Sequence, residues 1–315
     1  TFICMDSEDF FGVQSFESER KYMLKSRKGQ FYIIMSAMLF GIMPFLTKTA
    51  YNNGSNAYAV VFWRFLWASI FMAVIIKKFY AKNILLSRDK MLKIVVLSIF
   101  YGITPILLYV SYNYIDSGLA TSLHFTYPIA VMIIMAVAFK EKMGKRKVLC
   151  AIVCIMGVIM LYSPEKHAGV KGMTLAVISG IVYSLYVIFL EKFKLNAESA
   201  IIISFWLCFF TAIETGIFSV LIGKFRVAGS LQELLAEICL AFFSTVIALV
   251  LFQKGTFLCG AVMASLLSTF EPLTGVVIGW IVFKEKMTLK LGIGILLILF
   301  STVLVALPVK EKKRI

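Results

Sequence analysis

Charged residues, histidine and long polar stretches are scarce in this sequence. Of its 315 residues, 16% are charged and 2 are histidine, whereas 60% are hydrophobic. No polar stretch between Gly29 and Leu307 is long enough to form a soluble domain. A soluble chain of this length needs more polar surface to cover its core, so we expect the apolar excess to face lipid.

Patterns typical of metal sites and disulfides are also missing. The six cysteines form no CxxC pair, and two histidines cannot build a His-rich metal site. The sequence contains no Walker loop, nucleophile elbow, HExxH or GxGxxG context. We therefore expect no cofactor, no bound metal and no enzymatic activity.

Acidic residues are outnumbered by basic ones, 17 to 32, which gives a formal net charge of +15. Nucleic-acid binding is not expected, because no polar domain exists to present a basic face. Basic residues on cytoplasmic loops orient membrane proteins instead. This interpretation requires spanning segments, and the sequence supplies them.

Ten apolar segments are candidates to cross a bilayer, which takes about 20 mostly apolar residues per helix. Helices satisfy their own backbone hydrogen bonds, as hydrocarbon demands. The fifth candidate is short, and the eighth opens on Glu233 and Glu237. The spans are 30–50, 57–76, 91–114, 119–139, 147–162, 172–190, 199–221, 233–252, 260–283 and 289–307.

The distribution of Lys and Arg predicts the orientation. If the N-terminus is inside, the inner segments carry 23 of the 32 basic residues, the outer loops carry 8, and Arg64 lies within a span. This bias predicts a multi-pass protein of the plasma (inner) membrane with both termini in the cytoplasm. The bias is strong in the first half and nearly absent in the second.

The pentamer FKEKM occurs twice, at 139–143 and at 283–287. The same shift of 144 residues brings Pro128 onto Pro272 and Pro164 onto Pro308. A register that holds on both sides of the pentamer indicates duplication of a five-helix unit. Because five is odd, the second copy enters the membrane upside down. The sequence thus predicts an all-α integral membrane fold of ten transmembrane helices, arranged as a 5+5 inverted-topology repeat.

Two matching stretches carry a family resemblance: "GLATSLHFTYPIAVMIIMAVAFKEKM" and "AVMASLLSTFEPLTGVVIGWIVFKEKM". Each has small residues, a proline, an apolar run and then a glutamate, and "VFWRFLWA" embeds an arginine in an earlier span. Over about residues 30–307 the chain resembles EamA-type transporters of the drug/metabolite transporter superfamily. The first copy has Tyr127-Pro128 where the second has Glu271-Pro272, which makes the two halves chemically unequal.

The repeat and the resemblance together predict the division of the chain. The predicted parts are a cytosolic lead-in (1–28), a first EamA-type repeat (29–162), a linker (163–171), a second repeat (172–308) and a basic cytosolic tail (309–315). The resemblance implies a ten-helix carrier that exports amino acids, metabolites or drugs.

Prolines inside apolar spans mark candidate parts of a translocation path. Each removes one backbone donor and leaves the carbonyl four residues earlier without its usual partner. For Pro128 and Pro272 these carbonyls belong to His124 and Ser268. Pro44 and Pro105 free those of Phe40 and Tyr101. The alternatives are a packed kink or a helix that opens a central cavity, and the symmetry-related pair Pro128 and Pro272 is the stronger candidate for a cavity.

Intramembrane polar residues complete the candidate site. Glu271 is expected to be protonated, paired or cavity-facing, as a structural acid or a proton-coupling site. His124 is expected to share a helix face with Pro128, either as a packing residue or as a pH-sensitive one. The tyrosines on nearby spans either pack or line a pocket for an amphipathic solute. These are Tyr101, Tyr109, Tyr112, Tyr127, Tyr183 and Tyr186.

Two further charges are assigned structural roles. Arg64 lies about a third of the way into its span, and Glu214 lies at a similar depth on the same side. Arg64 is expected to snorkel or to pair with a carboxylate, and Glu214 is a possible partner.

These observations predict a secondary active transporter that moves a small metabolite across the plasma membrane by alternating access, as an exporter. Its predicted partners are the small-molecule substrate and membrane lipid, and coupling of transport to protons is one alternative. Two other classes stay open: an integral membrane enzyme acting on lipid-linked substrates and a non-transporting scaffold. Such enzymes usually group acidic or His residues at one membrane face, and a scaffold has no need of Glu271 or of symmetric kinks.

Overall fold

The computed structural model describes residues 24, 26–80, 84–115, 117–161, 169–283 and 289–306, and the regular structure in these ranges is entirely helical. The helices are α1 (Ser26–Asn52), α2 (Ala57–Phe79), α3 (Arg88–Ser111), α4 (Ser117–His124), α5 (Tyr127–Val137), α6 (Lys145–Leu161), α7 (Val170–Lys192), α8 (Ala200–Leu221), α9 (Leu231–Cys259), α10 (Ala261–Leu267), α11 (Phe270–Phe283) and α12 (Leu289–Ala306).

Seven stretches of the described residues are long and apolar enough to span a membrane. They are α1, α2, α3, the α4–α5 pair from Ala120 to Val137, α7, α8 and α9. Large apolar side chains such as Ile70, Val74 and Leu296 lie exposed on the outside of the bundle, as expected for a lipid-facing surface. The protein is therefore an all-helical, multi-pass membrane protein. The other three predicted spans coincide with α6, with α10–α11 and with α12, and the count of ten crossings stays a prediction.

Two of the predicted spans are broken in the middle. Helix α4 ends at His124 and α5 begins at Tyr127, with Pro128 in its first turn. Likewise α10 ends at Leu267 and α11 begins at Phe270, just before Pro272. Proline is tolerated in a first turn because the N–H groups there lack helical partners anyway. The prediction that His124 and Pro128 share one helix face is therefore wrong, because the helix breaks between them.

The other two prolines differ from each other. A turn at Gly41 and Ile42 interrupts α1, and Pro44 lies in the first turn of the segment that follows. Pro105 lies inside the continuous helix α3. Gly41 is required where it stands, because a Cβ there would lie 2.6 Å from the Glu271 carbonyl oxygen. Backbone turns, rather than simple kinks, thus accompany three of the four intramembrane prolines.

Helix boundaries repeat along the chain. Helices α2 and α3 begin at Ala57 and Arg88, and α8 and α9 begin 143 residues later in each case, at Ala200 and Leu231. Helices α4 and α6 begin at Ser117 and Lys145, and α10 and α12 begin 144 residues later, at Ala261 and Leu289. The register of 144 that the pentamer indicates is thus found in the helix starts as well.

The two pentamers cannot be compared in structure. In the first, Lys140 has a left-handed backbone (φ 54°), and Glu141 forms a 2.5 Å ion pair with Lys192 at the end of α7. Residues 284–287 of the second pentamer lie outside the described residues.

At one end of the bundle, which we name the Arg226 end, several helix ends and connections contact one another. Arg226 donates to the Gly54 carbonyl, and the Trp63 indole donates to the Arg226 carbonyl (2.9 Å). The Tyr51 hydroxyl donates to the Tyr109 carbonyl at the end of α3 (3.0 Å). The end of α1, the start of α2, the end of α3 and the α8–α9 connection therefore meet here.

At the opposite end of the bundle, which we name the Glu191 end, other helix ends and connections contact one another. Glu191 accepts from the Ala261 backbone N–H, and Lys90 at the start of α3 pairs with Glu198. The Cys259 thiol contacts the Ser26 carbonyl (3.3 Å). The starts of α1 and α3 and the ends of α7 and α9 are therefore close together at this end.

Candidate functional site

Arg64 is the most completely enclosed charge near the centre of the bundle. It lies on α2 and is 3% exposed. Its Nε donates to Thr245 Oγ1 (2.7 Å), Nη1 donates to the Tyr109 hydroxyl (2.9 Å), and Nη2 donates to the Ser244 carbonyl (3.2 Å). Its hydrogen-bond partners on α3 and α9 are all neutral, so the guanidinium keeps a buried positive charge without an adjoining carboxylate among the described residues.

Glu214 does not pair with Arg64, and that suggested pairing is wrong. Glu214 accepts a 2.7 Å hydrogen bond from the Ser98 hydroxyl, which joins α8 to α3. Gly102 also approaches this carboxylate, since a Cβ on it would lie 4.0 Å from Glu214 Oε2. Each charge therefore has its own neutral partners: Arg64 links α2 to α3 and α9, and Glu214 links α8 to α3.

A continuous row of aromatic rings runs through the interior beside Arg64. Ring centroids are 5.2 Å apart for Phe65 and Tyr101, 4.7 Å for Tyr101 and Tyr186, and 5.6 Å for Tyr186 and Tyr183. Tyr183 is then 4.9 Å from Tyr127, edge to face. These side chains come from α2, α3, α7 and α5, so the row connects helices of both predicted repeats.

Several polar atoms in this row have no hydrogen-bond partner. The hydroxyls of Tyr101 and Tyr186 are buried and unpartnered, as is Nε2 of Gln253 on α9. Gln253 is 0% exposed, and its Oε1 accepts from Ser204 (2.9 Å). A buried polar group without a partner costs free energy, so these donors are available to a ligand or to water. Sequence reasoning missed Gln253, because it lies next to Lys254 and just beyond the predicted span 233–252.

The break between α4 and α5 places His124 against α7. Its Nδ1 lies 2.8 Å from the Ser179 hydroxyl, and that hydroxyl itself donates to the Ala176 carbonyl (2.6 Å). Because the Ser179 proton is already used, Nδ1 must donate, which leaves Nε2 as the acceptor of a neutral imidazole. Gly180 permits the close approach, since a Cβ there would lie 2.5 Å from the His124 carbonyl oxygen.

The second break, between α10 and α11, lies beside the first. The Tyr127 hydroxyl approaches the Ser265 carbonyl at 3.4 Å, which links the two broken pairs. Ser268 is buried and donates to the Ala264 carbonyl (2.9 Å). The Ser268 carbonyl, which Pro272 was expected to leave free, accepts from the Glu271 backbone N–H (2.9 Å). The turn thus compensates for the bond that the proline removes.

Glu271 opens α11 at this second break. It is half-buried, whereas Ser268, Thr269 and Pro272 around it are buried. Its backbone N–H donates to the Ser268 carbonyl, and its own carbonyl oxygen lies against Gly41 of α1. Glu271 therefore lies where α1 meets the second break, next to Ser268.

The predicted site residues thus form one region, except for Glu214. We name it the central cluster, and it comprises Arg64, Tyr101, His124, Tyr127, Tyr183, Tyr186, Gln253, Ser268 and Glu271. Within the part of the chain that the structure describes, no group of three or more His, Cys, Asp or Glu residues could hold a metal ion. A separate apolar crevice of about 170 Å³ lies between the first break and α6, and its lining carries no charged side chain.

Comparison with known proteins identifies the family. The model of the EamA-like transporter family matches residues 27–163 and again residues 170–307. The chain belongs to the EamA-like transporter family. Its two matched segments cover most of the sequence and correspond to the two halves that share a helix register.

Relatives of this EamA-like chain agree with that assignment. An uncharacterized transporter of Synechocystis sp. is 25% identical over 265 residues, which cover 79% of each chain. An uncharacterized transporter of Clostridium kluyveri is 21% identical over 294 residues, which cover 88% of this chain and 93% of the relative. One solved crystal structure aligns with a TM-score of 0.71 at 13% identity, over 88% of this chain and 95% of the other. That likeness concerns the fold alone.

Proposed function

We propose that this EamA-like protein is a secondary active transporter that exports a small metabolite across the plasma membrane by alternating access. The candidate substrates are an amino acid, a related metabolite or a drug-like compound. The observation that carries the proposal is the central cluster, where the buried Arg64, the half-buried Glu271 and unpartnered tyrosine hydroxyls lie near two proline-containing helix breaks. Polar groups of this kind in a membrane interior usually serve a translocation path.

The directions of the helices between the two ends of the bundle support an inverted 5+5 repeat of ten spans. Helix α1 begins at the Glu191 end, whereas α7, its counterpart in the second half, finishes there. Helix α3 likewise begins at the Glu191 end, and its counterpart α9 finishes there. Arg146 at the start of α6 donates to the Leu304 carbonyl near the finish of α12. These three first-half helices therefore run opposite to their counterparts, as an inverted repeat requires.

The chemistry of the central cluster favours an amphipathic solute. The ring row offers aromatic faces, and the Tyr101 and Tyr186 hydroxyls and the Gln253 amide offer unused hydrogen-bonding groups. Arg64 lies over the Phe65 ring of the row, and Glu271 adds an acidic side chain at the second break. A small solute with a polar group and an apolar or ring-bearing part can satisfy both kinds of surface.

Proton coupling through Glu271 is part of the proposal. The residue is a half-buried carboxylate at a helix break. A carboxyl group in such a position can lose and regain a proton as the substrate arrives and leaves. With both termini in the cytoplasm, the Glu191 end faces inward and the Arg226 end faces outward.

Transport in reconstituted vesicles tests the function directly. Thermal-shift screening of the purified protein against amino acids, nucleobases and amphipathic amines first identifies a ligand. Uptake of that radiolabelled ligand into inside-out vesicles, with and without a pH gradient, then measures transport. We expect saturable uptake that Tyr186→Phe and Gln253→Leu each weaken. Binding without any movement across the bilayer would refute the transporter and favour the scaffold.

A further inference from the structure

A second polar cluster lies at the Arg226 end, apart from the central cluster. Glu233 and Glu237 stand one turn apart on α9 and are 0% and 1% exposed. Glu233 Oε2 lies 3.6 Å from Arg226 Nη2, and Glu237 Oε1 accepts from the Ser55 hydroxyl (3.2 Å). Two buried carboxylates thus share one arginine, and the group keeps one negative charge in excess if both acids are ionised.

Helix capping explains only part of this arrangement. The Ser230 hydroxyl accepts from the Glu233 backbone N–H (3.1 Å), and Glu233 Oε2 accepts from the Gly229 backbone N–H (2.8 Å). These bonds form a capping box at the start of α9. They leave Glu233 Oε1 and Glu237 Oε2 buried with no partner. Glu237 has no capping role at all, so its burial calls for another reason.

A third unpartnered oxygen belongs to the same place. Thr47 on α1 is 0% exposed, and its Oγ1 has no hydrogen-bond partner. Threonine hydroxyls in membrane helices normally bond to the carbonyl four residues earlier, as Thr49 does here to Phe45 (3.0 Å). Thr47 does not do so, and its hydroxyl is therefore free to accept or to coordinate.

The segment of α1 that carries Thr47 packs against the segment of α9 that carries Glu233 and Glu237. The Ser36 hydroxyl donates to the Ala248 carbonyl (2.7 Å) and the Ser244 hydroxyl donates to the Leu39 carbonyl (2.9 Å), so the two helices run antiparallel. Beyond these contacts, Met43–Asn52 lies against Leu231–Ala241. Thr47 and Glu237 are both buried near the middle of these two packed segments.

We infer that the α1–α9 interface at the Arg226 end binds a monovalent metal cation, held by Glu233 Oε1, Glu237 Oε2 and Thr47 Oγ1. Hard cations prefer oxygen ligands, and carboxylates with a hydroxyl supply them. One monovalent cation neutralises the single excess negative charge of the group formed by Glu233, Glu237 and Arg226. A divalent ion would instead leave the cluster with an excess positive charge.

The proposed cation site includes no residue of the central cluster, so cation binding can be tested without a transport assay. The melting temperature of the purified full-length protein is measured in NaCl or KCl, at constant ionic strength set with N-methyl-glucamine chloride. We expect a saturable rise in the melting temperature with Na⁺ that the bulky organic cation does not reproduce, because a ligand that binds only the folded state stabilises it.

Paired variants separate this site from general salt effects. Glu237→Gln keeps the size of the side chain and an acceptor for Ser55 but removes one charge, so the Na⁺ response should vanish. Thr47→Val should raise the half-maximal Na⁺ concentration about tenfold or more, because one ligand is lost. The controls Thr49→Val and Glu214→Gln should respond as the unmodified protein does, since their partners lie elsewhere.

Three outcomes would overturn the inference. One is an equal rise with every salt, which would reflect ionic strength alone. Another is an unchanged Na⁺ response in Glu237→Gln, provided that size-exclusion chromatography shows the variant to be folded. The third is stabilisation by lower pH without any metal response, because the pair would then hold a proton instead of a cation.

Discussion

Glu271 and Arg64 give the interior of this protein two opposite charges that do not form a direct ion pair. Arg64 is satisfied by Thr245, Tyr109 and the Ser244 carbonyl, all of them neutral. Glu271 is not among these partners and is half-buried. A direct pair would be hard to separate in a low-dielectric interior. The separation leaves both groups able to respond to a solute between them.

At this residue scale, Glu271→Gln tests proton coupling. The amide keeps the size and most of the hydrogen bonding of a neutral carboxyl group, but it cannot titrate. If Glu271 carries the coupled proton, the variant should bind substrate, yet its transport rate should no longer vary with external pH. The measurement is uptake across a pH series, next to a binding assay. An unchanged pH profile in a monodisperse variant would assign Glu271 a structural role.

Tyr101→Phe tests whether the unpartnered hydroxyls serve the substrate. The hydroxyl has no protein partner, so its removal should leave the free energy of unfolding unchanged or slightly higher. Substrate affinity should fall about tenfold if the solute bonds to this group.

The matched variant for Tyr101 is Tyr109→Phe, whose hydroxyl accepts from Arg64. This change should lower the free energy of unfolding by about 1.5–3 kcal/mol, because a buried charge loses a hydrogen bond. Denaturant melts in detergent and a binding isotherm measure both effects. Equal destabilisation by the two changes would show that Tyr101 has a structural partner.

At the scale of elements, the broken helices matter most. The α4–α5 and α10–α11 pairs each turn within two residues, and the Tyr127 hydroxyl near the Ser265 carbonyl brings the two turns together. Both turns adjoin close helix contacts, as between Gly180 and the His124 carbonyl. Ends of helix segments that meet inside a membrane expose backbone groups to a solute path.

Replacing Pro128 and Pro272 with alanine tests these turns. Alanine permits a continuous helix, so each change should restore an intrahelical bond and reduce transport more than it reduces folding yield. The double variant should lose more transport than either single one. Transport rates normalised to the amount of folded protein provide the measure. Normal rates in the double variant would limit both prolines to packing.

At the scale of the whole molecule, the two halves share helix starts at intervals of 143 or 144 residues. Helices α1, α3 and α6 run opposite to α7, α9 and α12 between the two ends of the bundle. The inverted repeat that we propose would account for the weak charge bias of the second half, because a duplicated basic loop would then lie on the other side of the membrane.

Cysteine labelling tests the inverted repeat. In a background without native cysteines, single cysteines at Lys142 and Lys286 should react with a membrane-impermeant maleimide from opposite sides of the membrane. Lys286 lies outside the described residues, which makes this experiment informative beyond the structure. Intact and permeabilised cells are compared by gel shift. Labelling of both positions from one side would contradict the inversion.

Much of the fold could be predicted from the sequence. Apolar length determines where spanning helices form, because hydrocarbon leaves a backbone no other way to satisfy its polar groups. The matched prolines indicated the paired positions at which two helices depart from regular structure, because proline removes a backbone hydrogen-bond donor. The residues of the candidate site, Arg64, Tyr101, His124, Tyr127, Ser268 and Glu271, could be selected because polar groups are conspicuous in an apolar segment.

The partners of these groups depended on tertiary structure. Sequence distance says nothing about which helix faces which, so Arg64 was expected near Glu214 and instead bonds to Tyr109 and Thr245. The packing of the Thr47 segment of α1 against the Glu237 segment of α9 also arises only in the tertiary structure. The sequence determined which residues are costly to bury in a membrane, and the packing of the helices decided which of them satisfy one another and which remain available to a ligand.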